Sequence, residues 1–135
     1  VEPGAAPVVD GGGIAAVEAA ASQLGVAYVW GAAAPGIGFD CSGLTQWAWG
    51  RAGVAIPRTA AAQYAALRHV PVSSVEPGDL LFYYDLDGDR TVDHVVMYVG
   101  VGPYGTGTVV QAPSPGHPVS YAAAWSQGLV GAARP

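Results

Sequence analysis

The chain has 135 residues, of which 51% are hydrophobic and 11% are charged, and its formal net charge is -5. This length and composition are typical of one folded domain rather than of a disordered segment. All the basic residues are arginines, and a net negative charge repels the phosphate backbone, which argues against nucleic acid as a partner. No apolar run reaches the roughly 18 residues of a membrane-spanning helix, so we expect no membrane span.

The N-terminal segment, residues 1–12, is rich in Pro and Gly and has no apolar periodicity from which a core could form. It predicts a linker, or a tail that remains after processing of a longer precursor. Residues 13–135 are then predicted to form a single domain. Its only cysteine has no partner for an internal disulfide, so the domain carries one free thiol.

The first half of the chain shows helical periodicity in three segments. The first predicted helix begins at Ile14 and ends before Gly25, a residue that tolerates a left-handed backbone. The second begins at Cys41 and ends before Gly53. A third, short helix is predicted over residues 59–68. The positions at helical spacing in the first helix are Ile14, Val17, Ala21 and Leu24.

Beyond Pro71 the pattern changes to short runs rich in Val, Tyr, Phe and Leu, separated by Gly, Pro and Asp. Such runs predict strands. Helices first and strands afterwards is the order of an α+β domain, so we expect the N-terminal helices to pack on a small antiparallel sheet. The strands are predicted within residues 78–84, 93–101, 107–113 and 127–133.

The first turn of the second predicted helix holds Cys41. Unpaired N–H groups and the helix dipole favour negative charge at this position, which predicts a thiol pKa lowered from about 8.5 toward neutrality or below. Such a thiol is suited to nucleophilic attack. The alternative is a small apolar core residue, which is the more common role of a lone cysteine.

A nucleophilic thiol needs a base, and His94 is the preferred candidate among three histidines. It begins a predicted strand, whose alternation gives the ring a defined face on a rigid support. His69 follows the end of the third predicted helix, and His117 lies in a Pro/Gly-rich turn. We expect both to be solvated or capping residues.

The acidic segment DLDGDRTVD begins like a calcium-binding loop, with Asp at its first, third and fifth positions. Its sixth position is Arg90 instead of Gly, and its twelfth is Val96 instead of a bidentate Glu, which excludes an EF-hand. We predict a solvated hairpin tip between two strands. No zinc-ligand spacing is present either, so we expect neither a metal nor a cofactor.

Five motifs, in their order along the chain, resemble the NlpC family of bacterial cell-wall cysteine peptidases. The resemblance extends from about Ile14 to Val130 and is strongest to actinobacterial peptidoglycan endopeptidase domains. It implies a compact papain-like α+β fold, secretion to the cell wall, and hydrolysis of the D-γ-glutamyl to meso-diaminopimelate bond of peptidoglycan stem peptides. The motifs are FDCSGLTQWAW, PRTAAAQY, EPGDLLFY, DHVVMYVG and VVQAP.

The resemblance implies that Cys41 is the nucleophile, His94 the base and Gln111 the residue that orients the imidazole. Relatives carry a carboxylate or a histidine at the third position. A glutamine oxygen can still accept the ring N–H, but it adds no charge to stabilise the imidazolium, which implies reduced activity. A peptidoglycan-binding module with weak or no catalysis is therefore the alternative function. Gln111 as a polar residue that merely pairs at a strand end is the alternative role.

Four further residues match positions with which the family binds its substrate: Tyr28, Asp40, Ser42 and Arg58. The residue chemistry leaves structural alternatives open for three of them. Tyr28 is equally explained as a core aromatic, Ser42 as a helix cap and Arg58 as a buttress of the fold. The implied partner is the peptidoglycan stem peptide, and we expect the protein to act as a monomer.

Overall fold

The computed structural model describes residues 12–84 and 91–135. Within these two ranges, three α-helices pack on a six-stranded antiparallel sheet, which confirms the predicted α+β class. None of the helices in the described part is long and apolar enough to cross a bilayer. The helices are α1 (Gly12–Ala21), α2 (Cys41–Arg51) and α3 (Ala60–Ala66).

The large sheet has the strand order β3-β8-β4-β5-β6-β7, and a two-stranded ribbon, β1-β2, precedes α2. The ribbon strands are β1 (Ala33–Ala34) and β2 (Gly38–Phe39). Strand β5, which carries His94, is therefore central and is flanked by β4 and β6. The strands of the large sheet are β3 (Arg68–Val70), β4 (Leu80–Tyr84), β5 (Val92–Gly102), β6 (Gly105–Gln111), β7 (Ser120–Ala123) and β8 (Leu129–Arg134).

Successive side chains of the central strands enter two different apolar clusters, as the two-residue period of a strand requires. The main core contains Leu80 and Phe82 from β4 with Val95 from β5, and the helices cover it. The second cluster contains Leu81 and Tyr83 from the same strand β4. Both faces of the sheet are therefore apolar. The start of β5, next to His94, lies close to the start of α2.

Helix α1 buries its small residues most deeply. Ile14 is 51% exposed, and Leu24 lies beyond the end of the helix and is 39% exposed. The small residues allow α1 to approach α2 closely, since a Cβ atom at Gly12 would already contact the Trp49 ring. Of the four positions at helical spacing, Val17 is partly buried against the main core, and the helix ends at Ala21, earlier than predicted. The buried residues of α1 are Gly12, Ala16 and Ala20.

The other elements differ from the predictions in two ways. Four additional strands are present, two of them in the β1-β2 ribbon, and α3 ends at Ala66, so that Arg68, predicted as its last residue, begins β3 instead. Helix α2 begins at Cys41 as predicted, and all four predicted strands are present. Strands β3 and β7 were not predicted, because short edge strands have little apolar alternation. The predicted acidic hairpin tip and the predicted tail fall largely on residues 85–90 and 1–11, outside the described residues.

Candidate active site

Helix α2 begins at Cys41, directly after the buried residue Asp40, which is the helix cap. The Asp40 Oδ1 atom accepts a hydrogen bond of 2.7 Å from the Gly43 N–H. Ser42 is not the cap, so that alternative was wrong: its hydroxyl oxygen accepts a 3.0 Å hydrogen bond from Arg58. The chain therefore uses a carboxylate, which also interacts favourably with the positive end of the helix dipole, to fix the start of α2.

The guanidinium of Arg58 pairs with the Asp40 carboxylate through two contacts, at 2.9 and 3.0 Å. It also donates to the Ala32 carbonyl at 3.2 Å, and the Gly31 N–H donates to Asp40 Oδ2 at 3.0 Å. A two-pronged pair of this kind fixes orientation as well as charge. Arg58 therefore acts as a buttress that joins the ribbon to the start of α2.

Gln63 supports the same helix from behind, and sequence reasoning did not identify it. Its side chain is fully buried and donates to the carbonyls of Ser42 at 3.1 Å and Pro57 at 2.8 Å. Its Oε1 accepts a 2.9 Å hydrogen bond from the Thr45 hydroxyl. The signal in the sequence was a polar residue in an Ala-rich helix. Because every buried polar atom here has a partner, the backbone next to Cys41 is rigidly held.

The Cys41 sulfur reaches the end of strand β5. Its thiol donates to the main-chain oxygen of Asp93 at 3.7 Å, and the Val95 N–H interacts with the same sulfur. Asp93 and Val95 flank His94, so the sulfur lies beside the main chain of the residue predicted to be its base. Two segments 52 residues apart in sequence are thus joined at one point.

Burial raises the pKa of the Cys41 thiol above its ordinary value of 9.0, and the Asp40 carboxylate raises it further. Hydrogen bonds from the Val95 and Ser42 N–H groups act in the opposite direction but do not reverse the shift. The predicted lowering of this pKa was therefore wrong in sign. Desolvation of the sulfur outweighs the helix N-terminus, so the free site holds a neutral thiol at neutral pH.

The imidazole of His94 is held by Gln111, whose Oε1 lies 2.8 Å from the ring Nε2. Because an amide oxygen only accepts, Nε2 carries the hydrogen and Nδ1 is left as the basic nitrogen. Burial lowers the pKa of His94 below 6.5, and the hydrogen bond to Gln111 opposes this shift. Gln111 therefore holds the ring rather than simply closing a strand end.

Two aromatic residues that sequence reasoning did not identify lie against His94. The ring centroid of Tyr83 on β4 is 6.2 Å from that of His94, and the centroid of Trp125 is 5.9 Å away. Trp125 belongs to the segment between β7 and β8. Nothing in the local sequence distinguishes these residues from ordinary core aromatics, because the contact depends on strand register and on the path of a loop.

A cleft of about 420 Å³ opens at the Cys41 sulfur. Burial, and then the proximity of Cys41 and Asp40, raise the pKa of Tyr28. Among the described residues, no hydrogen bond involves the Tyr28 hydroxyl. Trp30 stands at the rim with 85% of its surface exposed. All four residues predicted to bind substrate line this cleft, namely Tyr28, Asp40, Ser42 and Arg58.

The two remaining histidines are exposed, as predicted. His69 Nε2 lies 2.7 Å from the Tyr64 carbonyl near the end of α3, and its ring stacks on Tyr64 at 4.2 Å. His117 Nδ1 lies 3.2 Å from the Ser114 hydroxyl in an exposed turn. Within residues 12–84 and 91–135, no three His, Cys, Asp or Glu side chains are grouped so that they could hold a metal ion.

The sequence pattern of the NlpC/P60 family matches residues 25–133. The chain belongs to the NlpC/P60 family. This confirms the resemblance that the five motifs carry.

The relatives of this NlpC/P60 chain are longer proteins. A probable endopeptidase of Mycobacterium tuberculosis (strain ATCC 25618 / H37Rv) is 43% identical over 88 residues, which are 65% of this chain and 21% of that protein. The bifunctional muramidase/DL-endopeptidase CwlT of Bacillus subtilis (strain 168) is 41% identical over 78 residues, which are 58% of this chain and 24% of CwlT. The chain thus spans between a fifth and a quarter of these relatives.

A solved structure has the same fold. The peptidoglycan hydrolase RipB from Mycobacterium tuberculosis superposes with a TM-score of 0.77 at 31% sequence identity, covering 93% of this chain and 65% of RipB. The described helices and sheet are therefore those of an NlpC/P60 domain.

Proposed function

We propose that this domain is a cysteine endopeptidase that cleaves the D-γ-glutamyl to meso-diaminopimelate bond of peptidoglycan stem peptides. The observation that carries the proposal is the position of the Cys41 sulfur beside the main chain of His94, whose ring is bound to Gln111. The names of the relatives, among them a DL-endopeptidase and a peptidoglycan hydrolase, support the substrate class. In this proposal the domain acts as a monomer outside the cytoplasm, at the cell wall.

The first chemical step begins from a neutral pair. As the Cys41 sulfur attacks the scissile carbonyl carbon, its proton passes to His94 Nδ1. The Gln111 oxygen accepts the Nε2 hydrogen throughout and keeps the ring in this tautomer. Because the pKa of the thiol is raised and that of the imidazole is lowered, proton transfer accompanies attack instead of preceding it.

The tetrahedral intermediate places negative charge on the former carbonyl oxygen. The first N–H groups of a helix have no partner within the helix, and at the start of α2 the Cys41 N–H points out of the helix end. In this proposal it donates to the oxyanion, with the free hydroxyl of Tyr28 as a second donor. His94 then gives its proton to the leaving amine, and the carbon–nitrogen bond breaks to leave a thioester.

Water completes the cycle. His94 takes a proton from the attacking water and returns it to the sulfur as the carbon–sulfur bond breaks, so the thiol and the neutral imidazole are restored when the carboxylic acid product leaves. The polar side of the cleft holds the acyl part of the peptide in this proposal. Arg58 already pairs with the Asp40 carboxylate and donates a hydrogen bond to the Ser42 hydroxyl. In this proposal, Asp40 and Ser42 keep these bonds and present a fixed polar surface to the peptide.

A second function is favoured by one observation: the neutral Gln111 adds no charge that would stabilise an imidazolium. A peptidoglycan-binding module with little catalysis would use the same cleft without the proton transfer. The two functions differ in whether Cys41 forms and then loses a thioester with the peptide, which is measurable as cleavage that depends on Cys41.

The experiment is incubation of purified meso-diaminopimelate stem peptides, and separately of intact sacculi, with the protein and with Cys41→Ala. Mass spectrometry identifies the products. We expect a new amino terminus on meso-diaminopimelate with the unaltered protein and none with Cys41→Ala. Tyr104→Ala serves as the control for surface substitution, because Tyr104 is 56% exposed on the turn between β5 and β6.

Other outcomes are equally informative. Cleavage at a different bond would refute the proposed substrate bond while keeping the peptidase. Co-sedimentation with sacculi, with no product from either protein, would establish the binding module instead.

A further inference from the structure

Trp125 and Tyr83 form a small aromatic stack beside His94. The rings of Tyr83 and Trp125 are stacked, with their centroids 4.3 Å apart and their planes inclined by 20°. The plane of Trp125 is also nearly parallel to that of His94, at 26°. A further contact ties the stack together, since the Tyr83 hydroxyl donates to the Trp125 carbonyl at 2.8 Å.

The sheet register explains why these three rings meet. Tyr83 on β4 is the direct cross-strand partner of His94 on β5, and side chains at paired positions lie on the same face. Trp125 does not belong to β4 or β5. It lies in the segment between β7 and β8, which brings its ring to the same face of the sheet. The imidazole therefore has Gln111 at its Nε2 edge and the aromatic stack beside its ring.

We infer that Trp125, tethered by Tyr83, is a positioning residue that covers the His94 imidazole and excludes water from its hydrogen bond with Gln111. The inference rests on the proposed function, because it assigns the ring a task in proton transfer. A neutral amide is a weaker orienter than a carboxylate, so water competes with it more effectively. The packed indole of Trp125 excludes this water and restricts rotation of the His94 imidazole. The basic nitrogen Nδ1 then stays available to accept the proton of the Cys41 thiol.

Trp125 is well placed for such a role because its other surroundings are apolar. A cavity of about 520 Å³ lies against it, and the indole is only partly buried. The residue thus separates the imidazole from a solvent-accessible apolar pocket. The other lining residues of that cavity include Val72, Val75, Leu81, Tyr98 and Leu129.

The test substitutes Trp125→Ala and follows the imidazole of His94 by NMR across a pH titration, in parallel with peptide cleavage. We expect the His94 pKa to rise toward 6.5 and its Nε2–H signal to broaden or vanish through exchange with water. We expect kcat to fall by on the order of 10- to 100-fold, because a small misplacement of a catalytic group has effects of this size. KM should change little, since Trp125 does not line the cleft at Cys41.

The control separates positioning from a general loss of stability. Trp47→Ala removes another partly buried indole, which packs on Phe39 with ring centroids 5.5 Å apart and does not contact His94. It should lower the melting temperature but leave the His94 titration unchanged. Trp125→Phe keeps a flat ring over the imidazole and should restore most of the original titration and kcat.

An unchanged His94 titration and Nε2–H signal in Trp125→Ala would overturn the inference. If Trp125→Ala does not fold, Trp125→Leu, which keeps apolar volume without the flat ring, is judged by the same criteria. The titration does not depend on turnover. A shifted titration in a protein that cleaves no stem peptide would therefore refute the proposed function and leave the positioning role standing.

Discussion

The start of α2 at Cys41 and the His94 ring on β5 are held by different kinds of interaction. On the helix side, the start of α2 is fixed by charge: Asp40 accepts from two main-chain N–H groups and pairs with Arg58. On the sheet side, His94 has one neutral hydrogen bond, to Gln111, and packing against the aromatic rings of Tyr83 and Trp125. The contacts that hold the start of α2 are charged, and the contacts that hold the His94 ring are neutral.

The difference indicates how the site divides its tasks. The charged network fixes the position of the nucleophile and leaves little freedom to the main chain around Cys41. The neutral surroundings of His94 keep its pKa low and its ring uncharged until substrate arrives. Changes on the helix side should therefore alter stability most, whereas changes on the sheet side should alter activity and its pH dependence.

The largest effect is expected from Asp40→Ala. It removes the cap of α2 and leaves the Arg58 guanidinium, whose side chain is 34% exposed, without its carboxylate. Because the Arg58 side chain is partly exposed, solvent screens the pair. We expect loss of the cap and of the screened pair together to lower the unfolding free energy by about 2 kcal/mol in urea titration. Asp40→Asn keeps a capping oxygen and should lose less. A change below about 1 kcal/mol for Asp40→Ala would contradict the role of the pair.

A sheet-side change, Gln111→Ala, should lower kcat by on the order of 100-fold while the melting temperature shifts little, because the ring loses its orienting acceptor. The matched variant Gln111→Glu places a carboxylate at the same atom and should raise the His94 pKa. The acid limb of the pH–rate profile for peptide cleavage would then move to higher pH. Equal profiles for Gln111→Glu and the unaltered protein would show that this contact does not control the base.

A steric test on the helix side uses two glycines of α2. A Cβ atom at Gly43 would collide with the Ala32 carbonyl and approach Asp40 Oδ1 to 2.8 Å, whereas one at Gly50 would meet nothing within 4 Å. We expect Gly43→Ala to destabilise the fold by about 1–3 kcal/mol through overpacking. Gly50→Ala should instead stabilise it by up to about 1 kcal/mol through helix propensity. Thermal unfolding of both variants measures the difference. Similar changes in melting temperature for Gly43→Ala and Gly50→Ala would refute the steric explanation.

The smallest effect is a pH dependence of stability from His94. The pKa of His94 is lower in the folded protein than the ordinary value of 6.5. At a pH below 6.5, His94 therefore binds a proton more readily in the unfolded chain than in the folded protein. Stability should therefore fall as the pH decreases through 6.5 toward the folded-state pKa. His94→Gln removes this contribution, so the difference in unfolding free energy between the two proteins should change between pH 7 and pH 5. A constant difference would contradict the lowered pKa.

The fold class and the places of Cys41 and His94 in it were predictable because local patterns carry them. Cys41 opens a helix after a buried strand, and His94 lies near the start of a strand with regular alternation. The motifs around both residues also resemble the family to which the chain belongs. Local pattern and resemblance together were sufficient to identify the α+β class.

What could not be predicted depends on contacts between distant segments. The sign of the Cys41 pKa shift follows from burial, which the first turn of a helix does not reveal. The Gln63 network and the stack of Trp125 on His94 depend on how loops and strands meet. The buried face of α1 depends on how closely it approaches Trp49. These features belong to packing, and periodicity carries no information about them.

The central claim is that the free site holds a neutral Cys41 thiol and a neutral His94 imidazole. It is tested most directly by the pH dependence of Cys41 alkylation by iodoacetamide, measured for the unaltered protein and for His94→Gln. The account predicts a rate that rises with an inflection above 9.0, the ordinary pKa of the thiol, and no thiolate plateau between pH 5 and 7. A plateau in that range that disappears in His94→Gln would establish a thiolate–imidazolium pair and contradict the claim.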